Sequence, residues 1–330
     1  QIPHITEHTS GSTGSSLIFP QSVDNVRDLW AAFWRFWNRI GIEYGTRYAD
    51  FGSRTIVPPN QRKPPFWREC QPLFQIKFSA FHGNDENYMA YFKAINDYGL
   101  TWIHGYPSCI MPFASFVAQN GLTFDKPIKA VTASAENLYG YQRSIIEKAF
   151  GVQPHALYGL TEAVACIGED ADHDYIVDED YSAVEFIECG DYSRIVGSNL
   201  TNFAFPLLRY DTGDLAITTD RLKNGRRVIE RIDGRTGELL SLPDGGKVGA
   251  LSALFTESAT IKEAQIHQLE DYSVEISFVP LSDNYTEDIA EAEKRFRDRT
   301  KGMLPVSFKR VDGIERTKRG KLRYVVSDIK

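Results

Sequence analysis

The chain has 330 residues, 42% hydrophobic and 25% charged, a composition typical of a globular protein. This length exceeds that of one ordinary domain, so we expect two. The formal net charge of -7 gives no electrostatic footprint for nucleic acid over the chain as a whole, and we expect a small-molecule partner instead.

The sequence shows no membrane segment and no export signal. No apolar run approaches the roughly 18 residues of a membrane span, and no basic-then-apolar segment occurs at the start. The four cysteines, Cys70, Cys109, Cys166 and Cys189, form no CxxC pair and suit a reducing compartment as free thiols. We therefore expect a cytoplasmic protein.

An amphipathic helix is predicted over residues 23–40, because apolar side chains recur there at helical spacing. Ser22 is placed to cap this helix and Gly41 to end it. Its aromatic face could anchor the chain at a membrane surface, but burial against other elements is the commoner role of such a face, and we expect burial.

Helices and strands alternate along the middle of the chain. The predicted segments are helix 84–98, strand 100–103, strand 128–132, helix 137–150 and strand 156–158. This alternation predicts crossover units and a mostly parallel sheet, whose loops at strand ends form ligand sites. We expect a large α/β domain over residues 1–234.

The pattern changes beyond Gly234. Residues 261–268 and 272–279 alternate like half-buried strands, and residues 286–301 predict a charged helix. We expect a small α+β domain over residues 235–330.

A loop of small hydroxyl residues and glycines, HTSGSTGSS, occupies residues 8–16. Glycine lets the backbone approach a phosphate closely, and hydroxyls and amides supply donors to its oxygens. Such stretches are more often plain flexible loops. The absence of a GK[ST] ending disfavours a P-loop kinase or GTPase.

Four further segments contain residues that could take part in binding or catalysis. YGLTE at residues 158–162 follows a predicted strand and combines an aromatic ring with a carboxylate that could bind Mg²⁺, although an ordinary strand-to-helix turn would have the same sequence. RYDTGD at 209–214 offers carboxylates to ribose hydroxyls or forms a surface turn. DGRTGE at 233–238 has the composition of a linker, and RTKRGKLR at 316–323 presents a cation on a glycine turn or a solvated basic strand end.

The order and spacing of these segments resemble the adenylate-forming superfamily of acyl-CoA synthetases. The segments are residues 9–14, 134–136, 158–162, 209–214, 234–235 and 316–321. The YGxTE, RYDTGD and RTxxGKxR forms, with residues 54–58, 64–68 and 104–108, resemble the phenylacetate-CoA ligase branch and, more narrowly, its capsular-polysaccharide-biosynthesis relatives.

The resemblance implies a nucleotide site. It assigns the outer phosphates of ATP to the loop residues Thr9, Ser10, Gly11, Ser12, Thr13 and Gly14. It assigns the adenine and ribose to Ser134, Ala135, Glu136, Tyr158, Gly159, Asp214 and Arg235. Glu162 would bind Mg²⁺, and Thr161 would contact the α-phosphate.

The resemblance also implies the reaction. Lys321 would be the catalytic lysine, which a small mobile domain brings to the carboxylate and the α-phosphate, rotating about a hinge near Glu238. The expected activity is the ATP- and Mg²⁺-dependent conversion of a carboxylic acid to an acyl-AMP, followed by transfer to coenzyme A.

The sequence does not identify the carboxylic acid or the acceptor of the acyl group. His104, Gly105 and Tyr106 suggest an aromatic-lined pocket for the acid, but aromatic residues at strand ends more often belong to the core. Two alternatives to thioester formation are transfer of the acyl group to an amine and a degenerate relative that binds ATP without turnover. The second is disfavoured because Glu162 and Lys321 are both retained.

Two further expectations concern the start of the chain and an acidic stretch near His173. The sequence starts at Gln1, with little chain before Thr9, so we expect residues upstream that complete the first domain. The acidic stretch 169–180 surrounds His173, with Cys166 and Cys189 on either side, and could bind a metal, although it matches no closed zinc pattern and a solvated acidic loop is the commoner outcome.

Overall fold

The computed structural model describes residues 2–9, 17–52, 55–235, 239–249, 251–255, 258, 260–316 and 322–329. The described residues form the α-helices α1 Val23–Arg39, α2 Asp85–Asp97, α3 Pro107–Gln119, α4 Gly140–Phe150 and α5 Thr286–Arg299. None of these helices is long and apolar enough to cross a membrane.

The strands run through the whole chain. The first ten are β1 His4–His8, β2 Ile18–Ser22, β3 Tyr48–Phe51, β4 Trp67–Cys70, β5 Gln75–Phe78, β6 Trp102–Gly105, β7 Ala130–Ser134, β8 Pro154–Gly159, β9 Cys166–Glu169 and β10 Tyr175–Val177. The others are β11 Ser182–Cys189, β12 Tyr192–Asn199, β13 Tyr210–Lys223, β14 Arg226–Arg235, β15 Leu240–Ser241, β16 Lys247–Val248, β17 Ile261–Gln268, β18 Val274–Pro280, β19 Val306–Arg310 and β20 Val325–Ser327.

The chain divides into two compact units. The first comprises Gln1–Tyr44 and His155–Thr236, and the second comprises Gly45–Pro154 and Gly237–Lys330. The predicted division into residues 1–234 and 235–330 stays a prediction. Its boundary lies beside the third point at which the chain passes between the units, after Thr236.

The first unit is built on antiparallel strands and helix α1. Its sheet order is β11-β12-β13-β14-β10-β9-β8, with antiparallel pairing between neighbours. Ser22 caps α1 by accepting a hydrogen bond from the Asn25 amide at 3.2 Å, as predicted. Phe36 of α1 packs on β9 at Gly168, where an added Cβ would lie 2.5 Å from the Phe36 ring.

The second unit contains the predicted parallel strands. Strand β3 pairs in parallel with β5 and β6, and β6 pairs in parallel with β7, while β4 is antiparallel to β5. Helix α2 is the crossover between β5 and β6, and α3 is the crossover between β6 and β7. Parallel neighbours require such long connections, whereas antiparallel neighbours can be joined by short turns. The α/β fold class is confirmed. Among the described ladders, β17–β20 and β18–β19 in the C-terminal segment are parallel as well.

The C-terminal segment is an α+β arrangement, as predicted. Its sheet has the order β19-β18-β17-β20, and α5 contributes the buried residues Ala292 and Phe296 to the core. This core is continuous with that of residues 45–154 within the second unit, where the Tyr139 and Tyr324 rings lie 4.3 Å apart.

Helix α3 is the main element that the sequence pattern missed. Nine of its thirteen residues are buried, so it is apolar on nearly every side and shows no helical alternation. Pro107 at its first turn is compatible with a helix start, but Pro112 lies inside it. A sequence of this kind is hard to distinguish from a loop rich in turn residues.

Candidate active site

The YGLTE segment leaves the end of β8 in the first unit. Tyr158 pairs with Ile167 and Gly159 with Cys166 across the β8–β9 ladder, which fixes the direction of the segment as it leaves the sheet. The segment ends in a tight turn, closed by a 3.0 Å hydrogen bond from the Ala163 amide to the Leu160 carbonyl. This turn makes Thr161 half-buried and Glu162 buried.

Hydrogen bonds from residues distant in sequence hold the carboxylate and the backbone carbonyl of Glu162. The Tyr210 hydroxyl donates to Glu162 Oε1 at 3.3 Å, and the Asn199 side-chain amide donates to the Glu162 carbonyl at 3.4 Å. A carboxylate oxygen is a suitable ligand for Mg²⁺.

Asp214 lies beside Tyr158 although 56 residues separate them. The Tyr158 hydroxyl donates to Asp214 Oδ2 at 2.7 Å, and the Asp214 amide donates to Thr212 Oγ1 at 3.0 Å. Asp214 also stands opposite Arg235 in the β13–β14 register. The structure therefore brings together Tyr158, Asp214 and the backbone of Arg235, three positions for which the sequence predicts adenine or ribose contacts.

Thr9 closes the base of the predicted phosphate loop. Its amide donates to the Leu17 carbonyl at 2.9 Å, and its hydroxyl accepts from the Leu17 amide at 2.9 Å. The predicted phosphate-binding residues Ser10, Gly11, Ser12, Thr13 and Gly14 lie outside the described residues, as do Glu238 and Lys321.

The second unit holds the predicted adenine-lining segment 134–136. Ser134 ends β7, and Ala135 adopts a left-handed conformation with φ of 65°. The Glu136 carboxylate accepts hydrogen bonds from the Ser108 amide at 3.0 Å and the Ser108 hydroxyl at 2.9 Å. Because a carboxylate is favourable at a helix N-terminus, Glu136 fixes the start of α3 against the end of β7.

His104 contacts the buried hydroxyl group of Thr132. The Trp102 indole donates to Thr132 Oγ1 at 2.8 Å, and Thr132 Oγ1 lies 2.8 Å from His104 Nδ1. Thr132 is fully buried. Burial lowers the pKa of His104, which favours the neutral form of the ring.

Gly105 and Tyr106 have packing roles that the sequence left open. An added Cβ at Gly105 would lie 2.4 Å from the Phe51 carbonyl oxygen, so glycine allows β6 to approach β3. The Tyr106 amide donates to the same carbonyl at 3.1 Å, and Tyr106 precedes the first turn of α3.

Sequence reasoning missed two residues at this site. Asn199 ends β12 and carries no recognisable motif, so only the folded chain reveals its contact with Glu162. Tyr210 lies inside the RYDTGD segment, for which the sequence predicted a role only for the carboxylates.

The fold defines a class of protein. The structure of a 2-hydroxyisobutyryl-CoA ligase in the postadenylation state matches with a TM-score of 0.68 and 16% identity, covering 98% of this chain and 73% of that one. An anthranilate CoA ligase in complex with anthranoyl-AMP also matches with a TM-score of 0.68, at 12% identity, covering 96% of this chain and 65% of that one. The chain shares its fold with these two CoA ligases.

Sequence comparison gives a narrower relationship. Residues 240–328 match the CapK C-terminal domain family. Protein CapK of Staphylococcus aureus is 28% identical over 98% of this chain and 74% of its own length. Indoleacetate--lysine synthetase of Pseudomonas savastanoi is 34% identical over 38% of this chain and 32% of its own length. The chain is homologous to CapK, and the resemblance inferred from its motifs is confirmed.

Proposed function

We propose that the chain is an AMP-forming ligase that uses ATP and Mg²⁺ to convert a carboxylic acid to an acyl-AMP and then transfers the acyl group to coenzyme A. The observation that carries this proposal is the arrangement of Glu162, Tyr158 and Asp214 in the first unit, because it offers one carboxylate for a cation and an aromatic–carboxylate pair for a nucleoside. The phenylacetate-CoA ligase-like specificity and a cytoplasmic location remain part of the proposal.

Each group in this arrangement has a separate role. Glu162 would hold Mg²⁺ through Oε2, while Tyr210 keeps the carboxylate in place through Oε1. The metal, when bound, would neutralise phosphate charge. Tyr158 would face the adenine, and its hydroxyl would orient Asp214 toward the ribose hydroxyls.

The remaining predicted residues complete the scheme. The loop 9–14 and Thr161 would hold the phosphates, Ser134, Ala135, Glu136 and Gly159 would line the base, and Arg235 would assist Asp214. His104, Gly105 and Tyr106 would border the acid. Glu238 would be the hinge between residues 1–234 and the mobile domain 235–330.

The test is ATP–pyrophosphate exchange with a panel of aryl, short aliphatic and sugar-linked acids. Acid-dependent exchange is expected with at least one class, because formation of acyl-AMP is reversible when pyrophosphate is present. ATP binding without exchange for any acid would favour a degenerate nucleotide-binding relative.

A second candidate function is amide formation. The partial match to indoleacetate--lysine synthetase, whose name specifies joining of an acid to an amine, supports this alternative. Chromatography of the products from an accepted acid, with coenzyme A and with an amine panel that includes lysine, separates the two. Thioester formation supports the first proposal, and amide formation without thioester supports the second.

Changing Glu162 to glutamine is expected to lower the acid-dependent exchange rate by ~10²-fold and to raise the Mg²⁺ concentration required. Glutamine has the same shape and can still accept from Tyr210, but it lacks the charge that a hard cation prefers. Exchange is measured across a Mg²⁺ titration, with thermal unfolding measured in parallel.

Glu185→Gln is the matched control for this change. Glu185 is 46% exposed and pairs with Arg209 at the surface of the same unit, so its loss should leave the rate and the Mg²⁺ requirement unchanged. Equal rates in the Glu162 variant and the wild type would remove Glu162 from the metal site.

A further inference from the structure

Two histidines and a glutamate lie together in the first unit, and none of the three is assigned to the nucleotide. His155 belongs to β8, Glu169 ends β9, and His173 lies in the turn between β9 and β10. One potential ligand atom from each residue lies within 4.8 Å of the others, which makes this the one such group of at least three metal-ligating side chains found within the described ranges.

The glutamate is fixed from two sides. Its side chain is 2% exposed, and Oε2 accepts a hydrogen bond from the Ala156 amide at 3.1 Å. The same oxygen lies 3.1 Å from His173 Nδ1. The rings of His155 and His173 stack with centroids 4.3 Å apart and an angle of 8° between their planes. Both histidines are half-buried, so ions in solution can reach the cluster.

The turn that carries His173 is held by its own hydrogen bonds. His173 adopts a left-handed conformation with φ of 63°, and its amide donates to the Asp170 carbonyl at 3.0 Å. Asp170 Oδ1 accepts from the amides of Asp172 and Asp174 at 3.0 and 3.1 Å. His173 is thus presented to the cluster by a structured turn.

The surrounding charge favours a cation. Three carboxylates lie in the same turn, at Asp170, Asp172 and Asp174, in addition to that of Glu169. The cations that pair with this turn are Lys223, which contacts all three, and Arg221, which contacts Asp174. Negative charge therefore exceeds positive charge around the two imidazole rings.

We propose that His155, Glu169 and His173 form a binding site for zinc, with a water molecule in the fourth position. Two imidazole nitrogens and one carboxylate oxygen are a ligand set that suits Zn²⁺, whereas Mg²⁺ and Ca²⁺ prefer oxygen ligands alone. This site is separate from the proposed Mg²⁺ position at Glu162 and does not depend on the proposed function.

Zinc binding requires a local change in the rings. Zinc lies ~2.0–2.2 Å from nitrogen and oxygen ligands, so its ligand atoms must come closer together than 4.8 Å. A nitrogen lone pair lies in the plane of its imidazole ring, so two parallel rings cannot both direct a lone pair at one ion. Zinc binding therefore requires the half-buried rings to rotate about their side-chain bonds.

Cys166 is excluded from this site, although the sequence left it open as a ligand beside His173. It is fully buried and is absent from the cluster. Burial, reinforced by Asp178, raises the pKa of its thiol, which disfavours the thiolate form that binds metals. Cys189 lies at the far end of β11 and is likewise absent from the cluster.

The consequence of zinc binding is structural. The cluster joins β8, β9 and the turn before β10 at the start of the same β8 strand that leads to Tyr158. An ion that binds only the folded chain raises the unfolding temperature by mass action. Zinc is therefore expected to stabilise the first unit.

The experiment uses the full chain after treatment with a chelator. Titration with Zn²⁺ in a calorimeter is expected to give one equivalent, and Co²⁺ as a substitute is expected to give an intense tetrahedral absorption spectrum without a thiolate band. The double variant His155→Ala/His173→Ala should bind at least ~100-fold more weakly. Glu169→Gln, which preserves the shape of the side chain and the bond from Ala156, should weaken binding by ~10-fold or more.

Two controls make the outcome decisive. His267→Ala removes a histidine that pairs with Asp328 in the second unit and should bind zinc like the wild type. Cys166→Ser should also retain binding. The proposal would be overturned by absence of zinc binding to the wild-type chain, by a thiolate band in its cobalt spectrum, or by equal zinc affinity in the double variant. The first two outcomes are measured on the wild-type chain, so they do not depend on whether a variant folds.

Discussion

Replacing Lys321 with alanine is expected to lower the rate of acyl-AMP formation by ~10²–10³-fold while leaving ATP binding largely intact. Attack of a carboxylate on the α-phosphate brings two anions together, so a cation that meets the developing charge stabilises the transition state more than the ground state. The effect should therefore fall on the rate constant and not on the affinity for ATP.

Lys321 itself lies outside the described residues, and its role rests on the RTxxGKxR motif. The described residues on either side of it are paired. Arg316 forms an isolated antiparallel bridge with Leu322, and its guanidinium donates to Glu263 at 2.5 Å. The base of the segment is thus anchored to β17 in the second unit.

The measurement is pyrophosphate exchange beside single-turnover transfer from a synthetic acyl-AMP. The Lys321 variant should lose exchange and retain transfer, because charge on the α-phosphate no longer needs stabilisation by Lys321 once the adenylate exists. Lys318→Ala, in the same basic segment, is the matched control and should retain both activities. Wild-type exchange in the Lys321 variant would remove this lysine from the mechanism.

Changing Asp178 to asparagine is expected to lower the free energy of unfolding of the first unit by about 3 kcal/mol, because it removes one side of a buried ion network. The Asp178 side chain has no exposed surface and lies 3.2 Å from Arg35, 2.9 Å from Arg39 and 2.8 Å from Arg226. These contacts tie α1 to the residues after β10 and to β14.

Asp180→Asn is the matched control for the buried network. Asp180 pairs with two of the same arginines, Arg35 and Arg226, but its side chain is 54% exposed, so its replacement should cost less than about 1 kcal/mol. Urea unfolding is followed by tryptophan fluorescence in a Trp67→Phe/Trp102→Phe background, in which the remaining tryptophans all lie in α1 and report on this unit. Similar losses of unfolding free energy in the two variants would show that burial does not set the strength of the ion network.

The sequence by itself determined the elements whose signals are local. The apolar spacing and Ser22 cap of α1, the alternation of β17 and β18, and the charged pattern of α5 all depend on residues within one or two turns of each other. The order of short motifs was sufficient to recognise a resemblance to the adenylate-forming superfamily, because each motif is a local pattern of a few residues.

Tertiary structure decided the relationships between distant segments. The Tyr158–Asp214 and Tyr210–Glu162 bonds join residues about fifty positions apart, and no local pattern encodes such a distance. Whether strands pair in parallel or antiparallel likewise depends on which neighbours meet. The His155, Glu169 and His173 group combines two strands and a turn. His173 was visible in the sequence, but its partners appear only when β8 lies beside β9, because pairing between strands is a non-local interaction.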